Sequence, residues 1–138
     1  MSDYSGDDSD CELDKVENVG TYVTSEGKLK SEDYIVISSI NCASYGGGSS
    51  VAIYSLESGD KIKISGSNFK RPGSVNGMGI SESGNALGRL RGVYGVKNPT
   101  VIIDYGNFES AASNIEKVDM MAFVDLRTGK LKSTEIFK

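Results

Sequence analysis

The stretch VAIYSLESGDKIKIS, residues 51–65, decides the fold. Both of its ends are rich in β-branched and aromatic residues. In the second run Ile62 and Ile64 alternate with Lys61 and Lys63, so one face is apolar and the other is wet. Between the runs, Glu57-Ser58-Gly59-Asp60 places a glycine late in the turn, where a positive φ closes a type I turn with a bulge. This is a β-hairpin.

Working outward, the same pattern recurs. MMAFVDL (120–126) and KLKSTEIF (130–137) flank Arg127-Thr128-Gly129, a second hairpin built on the same turn chemistry. YIVISSI (34–40) and TVIIDY (100–105) are further strands. Leu87–Val96 is a weaker one, interrupted by Gly88, Gly92 and Gly95 in a way that predicts bending or a bulge. Ser25-Glu26-Gly27 before Lys28 marks a third turn of the same kind. The three turn glycines are 32 and 70 residues apart, which is no constant period, so recurrent turn chemistry accounts for them better than an array of repeats. The pair SLESGDK (55–61) and DLRTGK (125–130) resembles strand-turn-strand units of propeller blades, but a chain of 138 residues is too short to close a propeller by itself.

One helix is expected. Phe108, Ala111, Ala112, Ile115 and Val118 fall at i, i+3, i+4, i+7 and i+10, with Asn107 placed to cap the start. The spacing predicts a short helix near residues 108–117, lying across the sheet or plugging one end. The fold expectation is therefore mainly β: an antiparallel sheet closed or packed as a small sandwich or barrel of about seven to nine strands, with that one helix.

The length allows one core, and 17 glycines against 2 prolines suit tight turns between short strands. Residues 1–18 carry seven acids and the single base Lys15, which reads as an acidic flexible tail unless Cys11 is tied down; residues 19–138 form the β-rich domain. Residues 61–97 reverse the balance, with seven bases and only Glu82 opposing them. No apolar run approaches the roughly 20 residues needed to span a bilayer as a helix.

Cys11 and Cys42 match no zinc or CxxC spacing, and they are a disulfide candidate. Pairing needs an oxidising compartment. The even cysteine count and acidic start favour a periplasmic or secreted chain, with Met1 replacing a signal peptide, over a cytoplasmic one.

Histidine is absent, which excludes Ser-His-Asp and Cys-His nucleophiles and every His-ligated metal site. Ser-x-x-Lys occurs at Ser25, Ser58 and Ser67, each in an expected turn or loop rather than at a helix start. Gly27-Lys28 and Gly129-Lys130 lack both the hydroxyl residue that follows and the upstream glycine of a phosphate loop. Asp8, Asp10 and Glu12 alternate like the start of a calcium loop, but Leu13 stands where the turn glycine belongs. No catalytic residue, metal or cofactor is expected, and the chain does not read as an enzyme.

What remains is binding. Tyr45, Phe69, Arg71, Arg89, Arg91 and Tyr94 are of the residue types enriched at protein interfaces. Five of the six lie in the long irregular stretch 66–86 or the Arg89–Tyr94 strand. The expected function is a non-catalytic protein-binding domain, concretely an inhibitor or immunity protein that neutralises a partner toxin or enzyme. The alternatives are a β-barrel or sandwich holding a small ligand, lipid or glycan, and, behind it, a nucleic-acid module using the basic 61–97 segment.

Overall fold

The computed structural model describes residues 11–20, 22–23, 26–27, 29–30, 33–42, 48–66, 79–81, 83–95, 98–108 and 115–136. Ten strands run through them: β1 (Glu12–Val19), β2 (Tyr22–Val23), β3 (Leu29–Lys30), β4 (Tyr34–Cys42), β5 (Gly48–Ser55), β6 (Lys61–Ile62), β7 (Arg89–Tyr94), β8 (Thr100–Phe108), β9 (Ile115–Asp125) and β10 (Leu131–Ile136). They form two four-stranded antiparallel sheets, ordered β1-β4-β5-β6 and β10-β9-β8-β7, and the small β2-β3 hairpin. Leaving that hairpin aside, each sheet is a meander in which successive strands are neighbours.

Period-two alternation sorts the side chains. In β4, Tyr34, Val36 and Ser38 are buried while Ile35 and Ile37 are only half-buried; in β8, Val101, Ile103 and Tyr105 are buried while Ile102 and Asp104 are not. The buried sets meet between the sheets and form one core, which β9 completes with Met120, Ala122 and Val124 and which Leu126 caps. Sheet-on-sheet packing of this kind buries the apolar face of each layer.

The two meanders are joined differently on their two sides. On one side the backbone itself crosses: beyond β6, Ser65 makes a parallel bridge to Lys130, with Ser65 N–H donating to Gly129 O at 2.9 Å and Leu131 N–H to Ser65 O at 2.8 Å. Elsewhere side chains do the work. A register shift between Leu13 and Lys15 interrupts the β1–β4 ladder and turns Asp14 toward β7. Arg89 Nη2 donates to Asp14 Oδ1 at 2.8 Å, Ser38 Oγ donates to Asp14 Oδ2 at 3.1 Å, and the buried Leu90 N–H donates to Ser38 Oγ at 3.1 Å. Three strands from two sheets thus share one hydroxyl. Ser38→Ala leaves the Leu90 N–H without that acceptor inside the core and is expected to lower stability by about 1–3 kcal/mol. Truncating the more exposed Arg91 to alanine should cost about 0–1 kcal/mol. Paired urea melts measure both, and a Ser38→Ala loss near zero would show that the Ser38 relay holds nothing.

The structure corrects several expectations. The sheets do not close into a barrel; they are two open four-stranded meanders, with the β2-β3 hairpin beside them among the described residues. No helix is seen at 108–117: Phe108 ends β8, Ile115 begins β9, and the two are register partners. A ten-residue amphipathic segment does not hold a helix alone, and pairing along the whole β8–β9 hairpin outweighs the 3.6-residue spacing. Residues 109–114 lie outside the described ones. The KIKIS run is in the sheet only at Lys61–Ile62, because its later residues leave β5 to reach Lys130.

Both expected hairpin turns are present, with Gly59 at φ 78° and Gly129 at φ 76°. The third turn glycine, Gly27, has φ 86° and lies between β2 and β3. Cys11 and Cys42 are joined as a disulfide, so the end of the acidic segment is tied down and Glu12–Val19 pairs with β4 as an edge strand.

Candidate functional site

Three of the interface candidates fall on β7. Arg89, Arg91 and Tyr94 share the face of the second sheet that points away from the core, opposite Asp104 and Thr100 of β8. Tyr45, Phe69 and Arg71 lie outside the described residues.

The two arginines are committed within the molecule. Arg89 pairs with Asp14, and Arg91 Nε meets Asp104 Oδ1 at 2.8 Å. Together with Lys15 they line a shallow cleft of about 310 Å³ that also takes in Leu90 and Val118. A carboxylate answers each guanidinium, so a phosphate binding here must displace an internal partner. Of the other bases in the basic segment, Lys70, Arg71 and Lys97 lie outside the described residues. The remaining candidate, Tyr94, is 52% exposed.

A second surface was not anticipated from the sequence. Register partners share a face, so Leu13, Val16 and Asn18 of β1, Ile35 and Ile37 of β4, and Ala52 and Tyr54 of β5 all point outward from the first sheet. Together with Leu56 at the end of β5, Leu13, Ile35, Ile37, Ala52 and Tyr54 line an open apolar groove of about 590 Å³. Leu13 is 68% exposed, Val16 44% and Leu56 50%. At its β6 border, Lys61 Nζ lies 5.9 Å from the Tyr54 ring centroid and donates to Asn85 Oδ1 at 2.8 Å. The walls of this groove are mostly aliphatic and aromatic, with the hydroxyls of Ser39 and Ser55 among the lining residues and one cation at the edge.

The sequence did carry a signal for it. YIVISSI is an unbroken apolar run at Tyr34–Ile37 rather than an alternating one, and such runs belong to strands covered on both faces. One face of β4 is covered by the second sheet. The other is the groove.

Among the described residues no three His, Cys, Asp or Glu side chains come together as a metal-binding group, and no helix is long and apolar enough to cross a membrane. Compared with known protein families, with curated proteins and with solved structures, the chain matches none, and the reading of its surfaces rests on their own geometry.

Proposed function

We propose that the chain is a non-catalytic binding module that holds another protein on the outer face of its first sheet. In concrete form it is an inhibitor or immunity-type protein that neutralises a toxin or enzyme by covering it. One observation carries the reading: Leu13, Val16 and Leu56, three of the four exposed large apolar side chains among the described residues, gather around Ile35, Ile37 and Tyr54. Contiguous apolar patches on water-facing surfaces mark sites of interaction, whereas scattered single residues do not. A desolvated aliphatic and aromatic centre with a polar border is the anatomy of a protein interface.

The test is capture from the native source with the immobilised chain and with a Leu13→Asp/Leu56→Asp double variant. A partner retained by the first should be lost by the second, because two charged residues in a desolvated centre weaken binding by roughly 100-fold or more. A partner held equally by both would remove this face from the reading, and no retained protein at all would remove the reading itself.

A small apolar ligand is the second reading, favoured by the groove's volume of about 590 Å³, within the usual range of roughly 300–1,000 Å³. Tight uptake of an apolar fluorescent probe by a chain that retains no protein would favour it.

A further inference from the structure

The two meanders are more alike than their turns alone require. Moved back by 70 residues, Ala122 falls on Ala52, Val124 on Tyr54, Leu126 on Leu56 and Gly129 on Gly59. The hydrogen bonds coincide: Ser55 N–H donates to Asp60 O and Gly59 N–H to Ser55 O, as Asp125 N–H donates to Lys130 O and Gly129 N–H to Asp125 O. The neighbouring strands keep the same register. Ile35 faces Tyr54 and Ile37 faces Ala52 in the first sheet; Val101 faces Val124 and Ile103 faces Ala122 in the second. The first strand of each meander agrees as well, with Val16 opposite Ile37 and Leu90 opposite Ile103.

Equivalent faces nevertheless have opposite fates. In the second sheet, the face bearing Leu90, Val101, Ile103, Ala122, Val124 and Leu126 is core. In the first sheet, the same face is the open groove. Leu126 is 0% exposed and its equivalent Leu56 is 50% exposed; Leu90 is 4% and Val16 44%. The face that covers the second sheet carries Val36, Val51 and Ile53. By the same register its equivalent is the outer face of the second sheet, with Ile102, Met121 and Phe123 half-buried beside the Arg91–Asp104 pair.

We infer that a second copy of this chain covers the groove, laying the Ile102–Met121–Phe123 face of its second sheet on the Leu13–Ile37–Leu56 face of the first. The contact repeats between molecules the front-to-back stacking that joins the sheets within one. The inference rests on the reading of that face as protein-binding and names its occupant. Two different faces meet, so the contact is heterologous and copies add head to tail until a ring closes. Asp104 already neutralises Arg91 at the border, so burial there strands no single charge.

The test uses Leu56→Asp on one face and Phe123→Asp on the other, with Met121→Lys as a second variant of the latter face and far-ultraviolet circular dichroism to confirm folding. Sedimentation velocity should show the unmodified chain as an oligomer larger than a dimer and each folded variant as a 14.7 kDa monomer. Mixing Leu56→Asp with Phe123→Asp or Met121→Lys should restore a dimer, because one intact pair of faces remains between them. Loss of association with Leu56→Asp alone, the other two variants behaving as unmodified chain, would mean that like faces meet and would overturn the inference. A monomer at every concentration up to the solubility limit overturns it too, and if that monomer still captures a foreign protein through Leu56, the binding reading survives. Self-association without any captured foreign protein would uphold the stacking and remove the inhibitor reading.

Discussion

Gly129→Ala is expected to lower stability by about 2–5 kcal/mol, and Gly59→Ala by about 1–2 kcal/mol, although the two glycines hold the same place in the same turn. Both have positive φ, 76° and 78°, where any L side chain pays a steric cost. The surroundings differ. A methyl group on Gly59 meets nothing within 4 Å, whereas one on Gly129 runs into the backbone carbonyl of Lys63, with the Ile62 Cγ2 atom at 3.2 Å. That carbonyl cannot swing aside, because Lys63 lies two residues before the Ser65 backbone bridge that ties the first sheet to the second. Overpacking against a fixed neighbour adds a further penalty of roughly 1–3 kcal/mol to the strained φ. Urea unfolding midpoints compared at constant slope measure the difference directly. Equal shifts for the two variants would mean that Lys63 does not press on Gly129, and with it the crossing at that side would be in doubt.

The second large effect concerns the disulfide. Cys11 and Cys42 are 31 positions apart, and the loop they close contains the β2-β3 hairpin together with almost all of β1 and β4. Replacing both by serine should cost about 3–4 kcal/mol in the chain-entropy model. The loss should also be local in its first expression. β1 is an edge strand whose side chains are mostly exposed, so apart from its ladder and the Asp14 contacts with Ser38 and Arg89 little else keeps its first residues on β4. Native-state hydrogen exchange should therefore speed up in β1 and the adjoining residues of β4 while β8 and β9 keep their protection. Uniform acceleration across both sheets would contradict a local role, and an unchanged midpoint would show that the bridge constrains nothing.

Much of this architecture was legible from residue types. Ile62 and Ile64 against Lys61 and Lys63, and the late glycines at 59 and 129, were enough to place two hairpins, because turn geometry and period-two alternation are local properties. Cysteine counting was enough to propose the bridge. The helix failed for an instructive reason. Phe108, Ile115 and Val118 satisfy a helical spacing, but the choice between helix and strand there is made by β8 pairing with β9 as far out as Thr100 and Asp125, well beyond the ten residues that carry the helical spacing.

The candidate surface was hidden differently. Arg89, Arg91 and Tyr94 looked like contact residues by type, and all three do reach an outer face, but the carboxylates that answer the arginines come from Asp14 and Asp104, the first of them 75 residues away. The groove residues Ile35, Ile37 and Tyr54 looked like ordinary core, since apolar strand residues usually are. Only the arrangement of the layers shows that nothing in the described molecule covers them.

The unequal joints between the sheets give the molecule a spine and a fore-edge. Main-chain bonds at Ser65 and Lys130 bind it on one side, while at β1 and β7 the leaves are clasped by Ser38, Asp14 and Arg89. Thermal opening is therefore expected to swing about the bound side and to begin where the clasp is made of side chains. The bridge from Cys11 to Cys42 seats the strand bearing that clasp, so reducing it is expected to let the pages part more readily on that side.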